Sequence, residues 1–437
     1  MKKGNIDVHC HLLNGRFAFE ELLEIGWRWM HDDYPYKDGQ MRRSVRSVKL
    51  PLPPFIRGLI LYAASLFEAV TRDPEGNYRY ELDCYAESAF SDSLPLLAVP
   101  LMMDIYFIFD DGGAHGRRST PGTLTLAKRR ASLEPLHVGK NLQVPFDAFA
   151  EEMKELVLQE VSERMAKEGR RAAAAVSIKK KELAEQLDAI IGECRAPREK
   201  KAGTRGSSGA GDVQMTRGYR NHIDALGEIR RKNPDSVFPF LAVDPRRIGI
   251  DRLVNDHVLH GDFQGVKLYC PLGYLPSHPD LNPVFRICIA NGIPVTAHTS
   301  PGGFPSQSGE IRTFSRKKDG SVVPVFFNKA AFVKKRKPAG GECAASLFFA
   351  DPLNWLEVLE SPGFENLKVN FAHFGGEENI RAFAGGKAKA DNWTACIVEL
   401  MERYDNVYAD ISYCPGSDMP SLIEKIVRVH PKAGQRL

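Results

Sequence analysis

Short apolar runs that stop at a polar residue, and then at Gly or Pro, recur along the chain. Each run has the length of a buried β-strand, and the turn residues behind it are typical of a strand end. Seven runs share this pattern: residues 6–11, 94–103, 237–243, 263–269, 293–298, 367–373 and 406–410. The pattern therefore predicts seven strands.

Helical periodicity occupies the intervals between the later runs. Apolar residues share one helix face in five stretches: residues 247–260, 282–291, 351–359, 391–403 and 420–429. Strands that alternate with helices predict βα units on a parallel sheet. Seven such units in a row favour a TIM-like (β/α) barrel over an open sheet, and we predict a single barrel domain over residues 1–437.

Three segments do not fit the alternation and are predicted insertions: residues 17–90, 107–218 and 301–350. The second is expected to be mostly helical, because its apolar residues are spaced as on a helix face. Within it, residues 202–211 consist mainly of Gly, Ser and Ala, with one Thr and one Arg, which predicts a mobile linker. The third carries a basic run at residues 334–337, which we interpret as solvated surface.

The composition excludes several classes of protein. Lys and Arg number 59 against 55 Asp and Glu, a net charge of +4, which gives no reason to expect nucleic-acid or membrane binding. The 8 cysteines form no CxxC pair, which favours reduced thiols over a disulfide framework. The most apolar stretch, residues 53–70, is interrupted by Arg57 and Glu68 and is too short to span a bilayer. No apolar region follows the first lysines, so we expect a cytoplasmic protein without a signal peptide.

Four of the 12 histidines fall at the ends of predicted strands: His9, His11, His298 and His373. His9 and His11 share a face of their strand, because side chains two residues apart point the same way. Parallel barrel strands carry their C-terminal ends to one mouth, so the four should converge there. Neutral imidazole is the commonest metal ligand and suits zinc. The alternative is that each histidine is an ordinary core residue.

The residues around these histidines resemble a known family. His9-Cys10-His11, His298 in PVTAHTSPGG, His373 in NFAHFGG and Asp410 in NVYADIS resemble the amidohydrolase superfamily. The similarity is to its amidohydrolase-2 branch, which contains aminocarboxymuconate-semialdehyde decarboxylase and related decarboxylases, hydrolases and hydratases. It covers the predicted strands, about half of the chain, and not the insertions. The resemblance implies that His9, His11 and His298 bind a divalent metal, and that His373 contacts the metal-bound water or the substrate.

The chemistry implied is consistent with first principles. A zinc ion with three protein ligands and an open position lowers the pKa of a bound water to about 7. We therefore predict a metal-dependent hydrolase, with zinc as the cofactor, that acts on a small carboxylate-bearing substrate with an amide, lactone or related bond. One alternative is a non-oxidative decarboxylase of the same family. Another is a truncated, non-catalytic barrel that binds a ligand or partner; whether the protein forms a homo-oligomer is left open.

Further polar residues follow the predicted strands. Lys267 in GVKLYCP lies where some amidohydrolases carry a carboxylated lysine that bridges two metals, but we favour a simple lysine that pairs with a substrate carboxylate or a neighbouring acid. Asp104 and Asp244 are candidates to line the mouth, although Asp244 also precedes a proline and fits a turn. Arg246 and Arg247 could bind a carboxylate or lie at the surface, and we favour the surface.

The family pattern also has an eighth strand that ends in a metal-binding Asp. Only seven strands are predicted here, and Asp410 belongs to the seventh. Residues 430–437 resemble the approach to an eighth strand, so we expect the sequence to be truncated there. The alternative is that Asp410 is itself the carboxylate ligand of the metal.

Overall fold

The structure of the chain is a computed structural model. It describes residues 5–10, 19–21, 23, 74–87, 95–102, 104–108, 150–151, 153–159, 162, 181, 183–192, 215–414 and 416–437. The chain divides into two compact units. The first comprises Met1–His11, Tyr85–Thr123 and Leu226–Leu437, and the second comprises Leu12–Cys84 and Leu124–Ala225.

Parallel strands form the centre of the first unit. Each of the seven predicted runs contains one: β1 Asn5–Cys10, β2 Leu96–Pro100, β3 Phe240–Val243, β4 Gly265–Leu268, β5 Val295–His298, β8 Val369–Ala372 and β9 Val407–Ala409. β1 pairs with β2, and the other five pair in the order β3-β4-β5-β8-β9. Two isolated parallel bridges, Ala98 to Val237 and Leu101 to Phe240, join β2 to the segment that leads into β3. The strands therefore lie beside one another in chain order.

The strands are buried as the sequence predicts for a parallel sheet. All four residues of β3, of β4 and of β5 are buried, because helices and loops cover both faces. Among the described residues, β9 does not pair with β1. The parallel strands of the predicted barrel are therefore present, but its closure is not observed. The backbone N–H of Ala409 donates to the carbonyl oxygen of Arg436 at 3.1 Å, so the last residues lie beside β9.

Helices follow most of these strands. Their bounds are α1 Pro74–Ala86, α2 Arg217–Lys232, α3 Ile250–Val254, α4 Asn282–Asn291, α5 Lys329–Arg336, α6 Ala344–Phe349, α7 Leu356–Leu359, α8 Glu377–Ala384, α9 Trp393–Arg403, α10 Met419–Val429 and α11 Pro431–Gly434. The helix predicted over 282–291 coincides with α4. The one predicted over 247–260 begins as α3 and continues as a π-helical turn over Asn255–Leu259. No helix in the described part of the chain is long and apolar enough to cross a membrane.

The segment predicted as the third insertion contains an antiparallel hairpin. β6 Glu310–Arg316 pairs with β7 Val322–Asn328, and α5 follows directly. Its first turn is capped by the side chain of Asn328, which accepts a hydrogen bond from the backbone N–H of Ala331 at 2.9 Å. The basic run forms the end of α5, where Lys334, Lys335 and Lys337 are exposed.

The described part of the second unit is helical. Two helical segments, one over residues 150–151 and 153–159 and the other over 183–192, are linked by an ion pair in which Lys154 Nζ lies 2.5 Å from Asp188 Oδ1. The buried carboxylate of Glu21 accepts hydrogen bonds from the first turn of α2, including one of 2.8 Å from the backbone N–H of Tyr219. An acidic side chain is favourable at a helix N-terminus because it meets N–H groups that lack helical partners. The predicted linker at 202–211 lies outside the described residues.

Candidate active site

A row of polar side chains crosses the middle of the sheet. Lys267 on β4 is in register with Thr296 on β5, and Thr296 is in register with Asn370 on β8. Residues in register on parallel strands share a face, so these three side chains point the same way. His298 lies two residues beyond Thr296 and therefore shares that face. The row lies beneath the C-terminal ends of the strands, where the sequence placed the functional residues.

His298 and His373 meet at the end of the sheet. His298 is the last residue of β5, and His373 follows directly on β8. Their rings contact through Nδ1 of His298 and Nε2 of His373, which are 3.1 Å apart. Both residues are buried, with 6% of their surface exposed. The structure thus brings together two of the four predicted histidines.

Asp410 holds the segment that carries His373. Its Oδ1 accepts a hydrogen bond of 3.1 Å from the backbone N–H of His373, and its Oδ2 accepts one of 2.7 Å from Asn370 Nδ2. The φ angles of His373 and Phe374 are +70° and +47°, which are unfavourable for residues other than glycine. Backbone strain of this kind costs about 1–3 kcal/mol per residue and persists only where the surroundings hold it.

Burial shifts two ionisable groups of this site. It lowers the pKa of His373 to about 4; the charge of Lys267 acts in the same direction, and Asp410 opposes both. Burial also lowers the pKa of the Lys267 amine to about 7, although Asp410 and Cys270 raise it. At neutral pH, His373 is therefore a neutral imidazole, and Lys267 is divided between its charged and neutral forms.

Tyr269 is part of the site, although the sequence did not single it out. Its ring packs against the ring of His298 at 4.6 Å between centroids, and its hydroxyl oxygen accepts a hydrogen bond of 2.6 Å from the backbone N–H of Phe304. Gly303, at φ +96°, allows this approach, because a Cβ there would lie 2.4 Å from the Tyr269 hydroxyl. The available signal was that Tyr269 follows Lys267 by two residues, on the same face.

The two arginines expected at the surface are buried, so that prediction was wrong. Arg247 is 2% exposed and Arg246 5%. Arg247 donates from Nε and a terminal nitrogen to Oδ2 of Asp104, at 3.1 and 2.6 Å. Arg246 donates from Nε to Oδ1 of Asp244 at 2.8 Å and from a terminal nitrogen to Oδ2 at 2.6 Å. The pairing makes burial of these charges tolerable.

The same ion pairs involve Asp104 and Asp244, the two aspartates predicted to line the mouth of the barrel. Asp104 is engaged by Arg247, and its Oδ1 also accepts a hydrogen bond of 3.2 Å from the backbone N–H of Tyr106. Burial raises the pKa of Asp104 above its ordinary value, and the charge of Arg247 only partly opposes this. Asp104 and Asp244 therefore serve first to neutralise buried arginines.

The donors present fit a divalent metal. Imidazole nitrogens are common ligands of divalent metals, and His298, a predicted ligand, lies at this end of the sheet with Nε2 of His373 3.1 Å from its Nδ1. His9 lies on β1, but neither its side chain nor His11 is among the described residues. Where the structure is described, no group of three or more His, Cys, Asp or Glu side chains is arranged to hold a metal.

The sequence matches the family model described as Amidohydrolase over residues 188–432, which is more than half of the chain. The chain therefore belongs to the amidohydrolase family. No curated protein sequence matches the chain.

Two solved structures illustrate what the fold is similar to. One is 5-carboxyvanillate decarboxylase from Novosphingobium aromaticivorans, complexed with manganese and 4-hydroxy-3-methoxy-5-nitrobenzoic acid. It is 13% identical, with a TM-score of 0.31 and coverage of 48% of this chain and 56% of that one. The other is 2,6-dihydroxybenzoate decarboxylase from Rhizobium, 14% identical, with a TM-score of 0.31 and coverage of 50% and 64%. The chain covers less than two thirds of either protein.

Proposed function

We propose that the protein is a divalent-metal-dependent, non-oxidative decarboxylase, a carbon–carbon lyase that acts on a small carboxylate-bearing substrate. The observation that carries this proposal is the Lys267 amine. It is buried, at 1% exposure, and its Nζ has no hydrogen-bond partner in the described part of the chain. A buried amine without a partner is costly, and a substrate carboxylate would supply the missing acceptor.

The protonation states of His373 and Lys267 support decarboxylation. When the bond between carbon and the carboxylate breaks, CO₂ leaves, the electron pair stays on carbon, and that carbon must gain a proton. His373, with a pKa of about 4, is not an imidazolium at neutral pH and so lacks an acidic proton to donate. Lys267, with a pKa of about 7, is suited to donate one, because general acids work best near the operating pH.

The metal is assigned to the three histidines that the sequence pattern indicates. His9, His11 and His298 would hold it, with zinc as the ion that neutral imidazoles favour. A bound divalent metal supplies a Lewis acid that polarises a substrate oxygen. His373 contacts the substrate from the neighbouring strand, and Tyr269 forms one wall through its packing on His298.

A hydrolase is the second candidate, and one observation favours it. A neutral His373 has a lone pair that can accept a proton from an attacking water, as hydrolysis of an amide or lactone requires. The two reactions place opposite demands on the site, because decarboxylation requires a proton donor at carbon and hydrolysis requires a base at water.

The experiment is a product assay on the full chain loaded with zinc or manganese. Substrates labelled with ¹³C in the carboxylate, beginning with 2,6-dihydroxybenzoate and related hydroxybenzoates, are incubated in D₂O. We expect release of labelled CO₂ together with one deuterium on the carbon that lost it. A parallel panel of lactones and N-acyl amino acids detects hydrolysis.

Two variants make the outcome specific. Lys267→Met should retain metal and lose most of the decarboxylation, whereas Lys368→Met, which changes an exposed lysine before β8, should behave as the unmodified protein. Hydrolysis of a lactone or amide, with no CO₂ from any carboxylate, would replace the decarboxylase proposal with the hydrolase. Full decarboxylation by Lys267→Met would remove Lys267 from the reaction.

A further inference from the structure

Ser412 contacts the ring nitrogen of His373 that faces away from His298, and Asp410 contacts Ser412. The backbone carbonyl oxygen of Ser412 lies 3.1 Å from His373 Nδ1, and the Ser412 hydroxyl oxygen lies 3.0 Å from the same nitrogen. The hydroxyl also donates a short hydrogen bond to Oδ1 of Asp410. Nδ1 of His373 therefore has two oxygen neighbours from one residue.

The contacts at Nδ1 of His373 favour one protonation pattern. A carbonyl oxygen can accept a hydrogen bond but cannot donate one. The single hydroxyl proton of Ser412 is used in its bond to Asp410, so at His373 its oxygen acts as an acceptor as well. Both contacts then require the proton to reside on Nδ1 of His373, and a neutral ring consequently carries its lone pair on Nε2.

The lone pair on Nε2 points to the place where the two histidines meet. Nε2 of His373 lies 3.1 Å from Nδ1 of His298. The hydrogen bond between the Ser412 hydroxyl and Asp410, on the other side of the ring, therefore determines whether Nε2 carries a lone pair or a proton. Asp410 also binds the backbone N–H of His373 and that of Ser412, both at 3.1 Å. The Asp410 carboxylate thus holds in place both Ser412, which contacts the His373 ring, and the strained backbone at His373 and Phe374.

We propose that Asp410 and Ser412 are positioning residues that set the tautomer of His373, so that its Nε2 lone pair is directed into the active site. In this role Asp410 acts through His373 and is neither a metal ligand nor a substrate contact. The tautomer follows from this chain's own hydrogen bonds. Its use in turnover rests on the proposed function, in which His373 contacts the substrate.

The primary test is nuclear magnetic resonance of the metal-free full chain with ¹⁵N-labelled histidine. Long-range ¹H–¹⁵N correlations distinguish the two neutral tautomers, and His373→Asn identifies the His373 signals by their loss. We expect the Nδ1–H form in the unmodified protein. A predominant Nε2–H form would overturn the proposal, whatever reaction the enzyme catalyses.

Two substitutions test how the tautomer is set. Asp410→Ala removes the acceptor of the Ser412 hydroxyl, which can then donate to His373 Nδ1 and shift the ring towards Nε2–H. Adding Ser412→Ala removes that hydroxyl and leaves only the carbonyl, so the Nδ1–H form should return. If the double variant stays in the Nε2–H form, Ser412 does not transmit the effect of Asp410.

Metal affinity separates this role from direct ligation. Asp410→Asn keeps an acceptor oxygen for the two backbone N–H groups and the hydroxyl, so zinc affinity should remain within about tenfold, the lower end of effects from residues that orient ligands. A loss as large as that of His298→Ala would make Asp410 a ligand and overturn the proposal. Ser421→Ala, whose hydroxyl bonds only the exposed turn at Asp418, is the control. If Asp410→Ala does not fold, the unmodified protein and Asp410→Asn still decide the question.

Discussion

Nδ1 of His298 and Nε2 of His373 lie 3.1 Å apart, although 75 residues separate the two in sequence. Such a contact holds one proton between two neutral rings, and it becomes repulsive when both nitrogens are protonated. Because burial holds the pKa of His373 near 4, this arrangement persists across the neutral range. His373 therefore remains a neutral ring beside His298 across that range.

Metal content should separate the roles of these two histidines. His298→Ala, His9→Ala and His11→Ala should each remove most of the bound metal, because each change removes an assigned ligand. His373→Asn should retain about one equivalent and lose most turnover. Metal analysis of the purified variants, together with kcat, measures both effects. If His373→Asn loses metal as readily as His298→Ala, then His373 is itself a ligand.

The cost of burying the Lys267 amine should appear as a pH-dependent stability. Its folded pKa of about 7 lies below the ordinary 10.5, so between these values the unfolded chain binds a proton that the folded chain does not. Stability is therefore lost as the pH falls from 10.5 to 7. Lys267→Met should stabilise the metal-free protein by about 4 kcal/mol at pH 7, and by little near pH 10.5.

Urea unfolding at several pH values measures this difference, and Lys368→Met is the matched control. That exposed lysine should give a change below about 0.5 kcal/mol at every pH. A Lys267→Met effect that is equal at pH 7 and pH 10 would mean that the amine is not the source of the cost.

Gly303 should tolerate no side chain. Its φ of +96° disfavours other residues, and a Cβ would lie 2.4 Å from the Tyr269 hydroxyl and 3.0 Å from His298 Nε2. Gly303→Ala should break the hydrogen bond between Phe304 and Tyr269, lower stability by about 2 kcal/mol or more, and weaken metal binding through His298. At Gly302 the nearest atom to a Cβ is 3.6 Å away, so Gly302→Ala should change neither quantity. Equal effects from the two changes would contradict this packing.

The buried pair of Arg247 and Asp104 should be far more sensitive than a surface pair. Arg247→Met leaves a buried carboxylate without its cation and should cost about 3–5 kcal/mol, whereas Arg247→Met combined with Asp104→Leu should recover most of that loss. Arg428→Met, which breaks an exposed pair with Glu424, should cost less than about 0.5 kcal/mol. Thermal or urea unfolding measures all three. A double variant as unstable as the single one would show that the loss of stability comes from altered packing and not from the unpaired buried charge.

The sequence determined the strands and their order, because both depend on local patterns. An apolar run of four to eight residues that is bounded by Gly or Pro favours a buried strand over a helix. Parallel strands that alternate with helices then lie side by side in chain order. The same reasoning placed His298 and His373 at one end of the sheet, where the structure has them in contact.

The tertiary structure alone decided which charges are buried and what they meet. Arginines that follow a strand look like surface residues, and only the approach of Asp104, 143 residues away in sequence from Arg247, makes burial favourable. Likewise, no local pattern could show that the Lys267 amine has no hydrogen-bond partner among the described residues or that Ser412 contacts His373. These contacts depend on which segments, distant in sequence, pack around a side chain. The pKa of each group in the site depends on the same packing.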